Sequence, residues 1–247
     1  MGFWPIVIKV IRESDILLVV QDVRLPEISQ NEALEKILRA NGKLFVRVFT
    51  KIDLVSEKFL EHVKSNYKDA FFVSGTKNIG ISELKIQLLI MAKRAKIENP
   101  RIGVVGYPNI GKSAIINALA KRARTRVASF AGTTRGQQWV KVGGLFVIDS
   151  PGVIPYEDNE VVLGVLGAKD PEKIRRVYRV ALRIVKMFME YDKKILEDAY
   201  EISISNTDNI LEEIGRKRGM LLKGGIVDEN RVSVMIIKDW QNGKIKL

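Results

Sequence analysis

The chain has no cysteine and a single histidine in 247 residues. Without cysteine there is no disulfide, no thiolate zinc site and no thiol nucleophile. The one histidine, His62, lies in a polar helical stretch from Ser56 to Asn66. One imidazole without a partner makes no metal site, so it reads as a solvated side chain. Long apolar runs are also missing. Residues Ile6 to Ile11 are apolar but interrupted by Lys9, and they are far too short to span a bilayer. No secretory signal is visible. Met1-Gly2 resembles a myristoylation start, but Ile6 stands where Ser or Thr is needed. These absences point to a cytoplasmic protein with no membrane partner.

Apolar residues make up 46% of the chain, enough for one good core and a smaller appended domain. The net charge is +12 and is unevenly placed. Residues 1–154 hold 24 Lys/Arg against 13 Asp/Glu, whereas residues 155–247 hold 17 against 16. A basic domain attracts polyanions through counterion release. The densest basic segment is Lys121-Arg122-Ala123-Arg124-Thr125-Arg126. Cations there favour a helix C-terminus, but the overall excess is more than capping requires, which suggests contact with RNA.

The first two-thirds alternates short apolar strands with helical patterns, the signature of a mostly parallel sheet with helices on both faces. Strands are expected over 16–20, 44–49, 70–73 and 102–105, and helices over 31–39, 57–63, 82–96 and 112–123. In the 82–96 helix, Leu84, Leu88, Met91 and Ala95 form the apolar side. Two further strands, 140–142 and 145–148, meet at Gly143-Gly144, a hairpin signal. After Pro155 the texture becomes helical, with helices expected over 160–168, 171–189, 207–218 and 230–240. The expected organisation is therefore α/β over 1–155, followed by an all-helical domain over 156–247.

Gly106-Tyr107-Pro108-Asn109-Ile110-Gly111-Lys112-Ser113 fits the phosphate-binding P-loop pattern and lies between a predicted strand and a predicted helix. Its backbone N–H groups, from Asn109 to Ala114, suit phosphate oxygens, and the helix dipole adds to them. Lys112 would reach the β- and γ-phosphates, and Ser113 would offer its hydroxyl to Mg²⁺. The base is selected elsewhere. Thr50-Lys51-Ile52-Asp53 follows a strand and resembles the [N/T]-K-x-D guanine motif. Its carboxylate can accept from two guanine donors that adenine does not present. Ser74-Gly75-Thr76 follows another strand, where GTPases carry a loop whose backbone reaches guanine O6. Asp149-Ser150-Pro151-Gly152 is D-x-x-G at a strand end. Asp149 would hold Mg²⁺ through water, and the Gly152 N–H would sense the γ-phosphate. Between the two phosphate motifs, Thr134 is the choice for the switch threonine on Mg²⁺, with Thr133 as the alternative. Lys112, Thr134 and Gly152 form the expected catalytic set. Val153 and Ile154 stand where many GTPases place a water-orienting glutamine, so hydrolysis should be slow without a partner or cation.

The base-reading motifs precede the phosphate motifs. The short link from the 82–96 helix to the 102–105 strand joins the termini of an ordinary GTPase domain, so the site can be unchanged in space. This order resembles the circularly permuted GTPases of ribosome assembly, the YlqF-type family. Asp22-Val23-Arg24-Leu25-Pro26 with Ser29-Gln30-Asn31 resembles the family's D-A-R-x-P…S-R-N segment, and Gly106-Tyr107-Pro108-Asn109 resembles its P-loop. Lys217-Arg218-Gly219-Met220, Gly224-Gly225 and Asp239-Trp240-Gln241-Asn242-Gly243-Lys244 resemble its helical tail.

The resemblance implies slow GTP hydrolysis and nucleotide-dependent binding of pre-ribosomal large-subunit particles by a monomer, with rRNA rather than DNA as nucleic acid. The other reading is a nucleotide-gated protein-binding scaffold with incidental hydrolysis. Asn109 resembles the asparagine that helps hold a monovalent cation in K⁺-stimulated GTPases. Two departures stand out. Thr50 replaces the commoner Asn and should brace the P-loop less well. Gly75 replaces Ala, with little consequence expected where only its N–H is used. The small-subunit relative with permuted motifs carries a barrel and a Cys/His zinc site, and this chain has no cysteine for the latter.

Overall fold

The computed structural model describes residues 4–122, 139–152, 154, 159–204 and 209–247. The chain divides into two compact units, Met1–Tyr156 and Glu157–Leu247.

The first unit is built on a six-stranded sheet with β1 (Ile16–Asp22), β2 (Leu44–Thr50), β3 (Ala70–Phe72), β4 (Arg101–Gly106), β5 (Val140–Val142) and β6 (Leu145–Asp149). The spatial order is β3-β2-β1-β4-β6-β5. Every neighbouring pair is parallel except the β5–β6 hairpin. Gly143, with φ +61°, makes that hairpin's turn. The chain order runs outward from β1 to β3, returns to β4 beside β1, then goes to the far edge at β5 and comes back to β6 beside β4. The β1/β4 junction is therefore a topological switch point, where open α/β sheets place their ligands.

Two buried sides explain why β1 reads as a continuous apolar run rather than an alternating one. Leu17 and Val19 join Val105 and Ile148 in a core completed by α1 (Trp4–Glu13) and α2 (Glu32–Ala40). Their alternates, Ile16, Leu18 and Val20, point the other way and are equally buried. Helix α2 begins at Asn31, whose side chain accepts from the Leu34 N–H, and stops before Gly42 at φ +59°. Helix α3 (Glu57–Asn66) is capped by Ser56, and His62 lies exposed on it.

Helix α4 (Ile81–Arg94) packs on α5 (Lys112–Arg122). Its buried side is Ile81, Leu84, Leu88 and Ala92. The expected seam through Met91 and Ala95 is therefore corrected at its end: Ala95 is exposed, because the helix closes at Arg94. Helix α1 was not foreseen. Its Val7, Val10 and Ile11 are buried at helical spacing against the sheet.

In the second unit the described helices are α6 (Glu160–Val165), α7 (Val177–Tyr191), α8 (Lys194–Tyr200), α9 (Ile210–Lys217) and α10 (Glu229–Gln241). The expected 171–189 helix is divided. Pro171 opens a short 3-10 turn capped by Asp170, Ile174 is extended, and α7 starts only at Val177. The stretch 232–237, strand-like by residue type, is helical in α10 behind the Asp228 cap. Trp240 anchors this unit's core: it is fully buried, donates to the Val165 carbonyl at 2.8 Å and meets Phe188 edge-on.

Candidate nucleotide site

The four motif loops follow the C-terminal ends of β2, β3, β4 and β6, all parallel. The sheet thus gathers on one edge residues that lie up to about a hundred positions apart. The P-loop leaves β4 at Gly106 and enters α5 at Lys112, turning through Asn109 at φ +55° and Gly111 at φ +108°. Asparagine tolerates this left-handed backbone better than most residues.

Lys112 is buried, and its ammonium donates to the carbonyls of Tyr107 at 2.7 Å and Gly106 at 3.3 Å. Burial pulls its pKa down, and the nearby Asp149 charge partly restores it. A cation held in a loop of backbone N–H groups and satisfied by two neutral carbonyls is poised for a polyanion. Ser113 Oγ donates to Asp149 Oδ2 at 2.6 Å. The other oxygen, Asp149 Oδ1, is buried and has no hydrogen-bond partner among the described residues. Ser150 fixes the end of β6 by donating to the Val104 carbonyl at 2.7 Å.

Thr50 links the base side to the phosphate side. Its hydroxyl lies 2.6 Å from the Ile110 carbonyl and 3.0 Å from the Gln21 carbonyl. One proton serves one strong bond, and the shorter contact is to the P-loop. The Thr50 hydroxyl thus ties the end of β2 to the P-loop. Thr50 reaches because Gly111 comes so close that a Cβ on it would lie 3.2 Å from the Thr50 side chain.

Two glycines seat the outer loops on the P-loop region. A Cβ on Gly75 would lie 2.6 Å and 2.7 Å from the Ala114 backbone and 2.8 Å from its Cβ. The first turn of α5 therefore fills the space that a methyl group at position 75 would need. A Cβ on Gly152 would lie 2.4 Å from the Pro108 nitrogen. The D-x-x-G glycine thus rests directly on the P-loop. In the Ser74–Thr76 loop, Ser74 Oγ accepts from the Lys77 N–H and lies 3.1 Å from Thr76 Oγ1, which is 3.5 Å from Asp53 Oδ2. The two base-side loops therefore meet at Asp53 and Thr76.

Sequence reasoning missed the group beneath Lys51. Asp22 is completely buried at the end of β1, in register with Thr50 on β2. Arg24 grips it with two side-chain bonds, at 3.0 Å and 2.9 Å, and Lys51 Nζ adds a third at 2.8 Å. Burial by itself would raise the Asp22 carboxyl, but the Lys51 and Arg24 charges override it and hold it well below the usual carboxylate range. Lys51 is pulled down by burial, while Asp22 works to keep it charged. Lys51 also takes a left-handed backbone, φ +62°, at the bend that carries the chain to Asp53. The D-x-R spacing was visible in the sequence, but the parallel register that sets it beside Lys51 was not.

Thr133 and Thr134, the switch candidates, lie outside the described residues, as do Val153 and residues 123–126 of the basic segment. Ile154 is half-exposed.

Comparison with known proteins agrees with this geometry. The family described as 50S ribosome-binding GTPase matches residues 101–221, and the RsgA GTPase family matches residues 8–157. A GTP-binding protein of Methanocaldococcus jannaschii is 36% identical over 97% of this chain and 65% of its own length. Nucleolar GTP-binding protein 2 of Yarrowia lipolytica is 33% identical over 98% of this chain and 49% of its own, and that of Saccharomyces cerevisiae 32% over 98% and 52%. The chain thus spans about half to two-thirds of the length of these relatives. The crystal structure of GNP-bound YlqF from T. maritima superposes with a TM-score of 0.62 at 22% identity, covering 98% of this chain and 94% of that one. The RsgA GTPase model covers more than half of the chain, so the chain belongs to the P-loop GTPases of that family, and its motif order and sheet topology go with the circularly permuted fold seen in YlqF.

Proposed function

We propose that the chain binds GTP, hydrolyses it slowly by itself, and uses the nucleotide state to control binding to large-ribosomal-subunit particles. The observation that carries this reading is the single cradle made by Asp53, Thr50, Lys112, Ser113 and Asp149 at the switch point of the sheet. Asp53 reads the guanine edge, with Lys51 beneath it and the Ser74-Gly75-Thr76 backbone beside it. N–H groups from Asn109 to Ala114 wrap the phosphates. Lys112 exchanges its two loop carbonyls for phosphate oxygens, which compensates a charge that burial disfavours. Gly152, seated on Pro108, presents its N–H toward the γ-phosphate position.

The residues around Ser113 and Asp149 fit Mg²⁺: a hydroxyl and a carboxylate sit together, and one buried carboxylate oxygen is left over. When bound, Mg²⁺ neutralises charge on the phosphate oxygens. Ser113 would hold it directly, Asp149 through water, and Thr134 from the switch segment. Lys112 and Gly152 stabilise the charge that builds on the transferred group. No glutamine follows Gly152 to orient water, which is the basis for slow turnover. Asn109 is the candidate to help hold K⁺. Turnover should then rise in K⁺ over Na⁺ at equal ionic strength, and Asn109→Ala should abolish the difference. Identical rates in both salts would remove the cation.

The partner reading rests on the relatives. One matched family is described as 50S ribosome-binding, and several relatives are named nucleolar. We assign residues 1–155 as the GTPase domain and 156–247 as a helical domain of a monomer that meets rRNA within a pre-ribosomal particle. The site of action is then wherever large subunits are built, the cytoplasm in cells without a nucleus. Among the described residues no helix is long and apolar enough to cross a membrane. Co-sedimentation of the chain with large-subunit particles, in a non-hydrolysable GTP analogue and in GDP, tests the proposal. Equal recovery in both states would refute nucleotide control.

A further inference from the structure

Asp22, Val23, Arg24 and Ser29 stand out together in the sequence, yet none of them belongs to a nucleotide motif. The structure joins them in one arrangement. The Asp22 N–H donates to Ser29 Oγ at 3.1 Å, which fixes the backbone at the end of β1. Val23 is buried in a cluster with Phe49 and Val63 and holds the turn that follows. Asp22 Oδ1 accepts from the Arg24 backbone N–H at 3.1 Å and from Arg24 Nε at 3.0 Å. Asp22 Oδ2 accepts from Arg24 Nη2 at 2.9 Å and from Lys51 Nζ at 2.8 Å. The carboxylate is thus locked in one orientation, with one oxygen given to Lys51.

This is more than the fold needs. Arg24 alone balances the Asp22 charge, and its guanidinium grips both oxygens. Lys51 brings a second cation to the same carboxylate, and like charges held close away from water repel. Burial disfavours the Lys51 ammonium; Asp22 favours it, Arg24 opposes it, and Asp53 adds a smaller favourable charge. A buried ion pair also adds little net stability over an apolar alternative. The backbone of Lys51 is left-handed, at φ +62°, a region that lysine seldom occupies. A solvated lysine would avoid these costs. The side chains of Lys36 and Lys244 are 79% and 72% exposed, whereas that of Lys51 is 19% exposed.

What the arrangement does fix is the path of the Lys51 side chain. Lys51 follows Thr50, and Thr50 is the register partner of Asp22 on the adjacent strand. From the bend beyond β2 the side chain reaches the end of β1, so its methylene stem is held at both ends. Asp53, two residues on, lies beside Thr76. We propose that Asp22 is a positioning residue for the base: it pins the Lys51 stem as an apolar floor under the guanine ring, while Asp53 reads the ring's edge. A lysine stem covers apolar surface readily once its charged head is satisfied elsewhere. A loose lysine samples many rotamers, and ordering it on binding weakens affinity. A stem pinned by the protein itself spares the nucleotide that cost. The inference rests on the guanine-nucleotide reading above. It adds a residue outside the nucleotide motifs and divides the labour: the floor depends on Asp22 through Lys51 and is indifferent to the base's substituents, whereas selection depends on Asp53.

The test uses the full chain and titrations with GDP, IDP and ADP, with circular dichroism to establish that each variant is folded. Asp22→Asn keeps the shape, removes the charge and should weaken GDP binding about tenfold, mainly through faster release. IDP lacks the exocyclic amine that Asp53 would read. Its binding should weaken by the same factor, leaving the GDP/IDP ratio unchanged. Lys51→Met keeps an unbranched stem, removes the ammonium and leaves the Asp22–Arg24 pair in place. It should weaken GDP binding to a similar degree. Asp22→Asn added to Lys51→Met should then change affinity by less than about twofold, because the link it breaks is already gone. Wild-type GDP affinity in Asp22→Asn, or in Lys51→Met where Asp22→Asn does not fold, would overturn the proposal and leave guanine binding intact. Losses that multiply in the double variant would also overturn it, since Asp22 would then act through the fold and not through Lys51. A wild-type chain that bound ADP as tightly as GDP would overturn the guanine reading itself, and the floor with it.

Discussion

Replacing Gly75 with alanine adds one methyl group where the first turn of α5 already lies. The new carbon would stand 2.6 Å from the Ala114 carbonyl carbon, 2.7 Å from its oxygen and 2.8 Å from its Cβ. Ordinary contact needs roughly 1 Å more, and two of the three obstacles are backbone that cannot rotate away. Overpacking of this kind costs about 1–3 kcal/mol. The strain should fall on the Ser74–Thr76 loop, because its Thr76 and the following Lys77 are exposed at the surface, whereas Ala114 lies in the first turn of α5 directly after the P-loop. On the proposed reading the base then loses its backbone contact while the sheet stays intact. GDP affinity, read by titration with a fluorescent analogue, should fall roughly 5- to 150-fold. Thermal melting of the free protein should move by only a few degrees. Adding Ala114→Gly removes the Cβ contact but leaves the backbone obstacles, so rescue should be partial. Unchanged affinity in Gly75→Ala would refute the reasoning, since the loop would then lie apart from both α5 and the base.

Three other substitutions probe the same cradle. Asp53→Asn should shift preference from guanine toward xanthine nucleotides, because an amide donates where the carboxylate accepted. Equal binding of ATP and GTP by the wild type would sink that assignment. Thr50→Val keeps the branched shape but removes the bond to the Ile110 carbonyl, and nucleotide affinity should drop about fivefold for a loss of about 1 kcal/mol, with Thr50→Ser restoring part of it. Asp22→Ala leaves Arg24 and Lys51 without their buried counter-charge and should cost about 3–5 kcal/mol in urea unfolding. The folded pKa of Asp22 is depressed, so its contribution is complete above the unfolded value near 3.8 and is lost only as pH falls toward the folded one. The difference between wild type and variant should therefore be flat from pH 8 to about 5 and shrink only in stronger acid.

Much of this site was legible because its chemistry depends on short, contiguous patterns. The P-loop, T-K-x-D and D-x-x-G each follow a strand whose apolar run marks it, and the strand–helix alternation implies a parallel sheet. The order of the motifs exposed the permutation, since the α4-to-β4 link is short enough to close an old pair of termini. What sequence could not supply was distance between patterns. Whether a hydroxyl at position 50 reaches the P-loop depends on how closely Gly111 approaches it, and whether position 75 tolerates a methyl depends on where Ala114 lies. Both are consequences of the β2–β3, β1–β2 and β1–β4 registers, which no local pattern encodes.

The two substitutions from the family pattern, Thr50 and Gly75, look independent in the sequence and are neighbours of the same element in the structure. Thr50 bonds the loop just before α5, at Ile110, and Gly75 lies against its first turn, at Ala114. A short side chain at 50 and a missing one at 75 both let the base-side loops settle close to the P-loop. This gives a physical account of why the commoner residues need not appear here. An asparagine at 50 would bring a longer side chain into the space beside Gly111. An alanine at 75 would hold the outer loop away from α5. In this chain both departures therefore fall where the base and phosphate halves of the cradle meet. On the proposed reading, that join sets Asp53, Thr76 and Lys112 around one nucleotide, though the loops after β2, β3 and β4 supply them from separate parts of the chain.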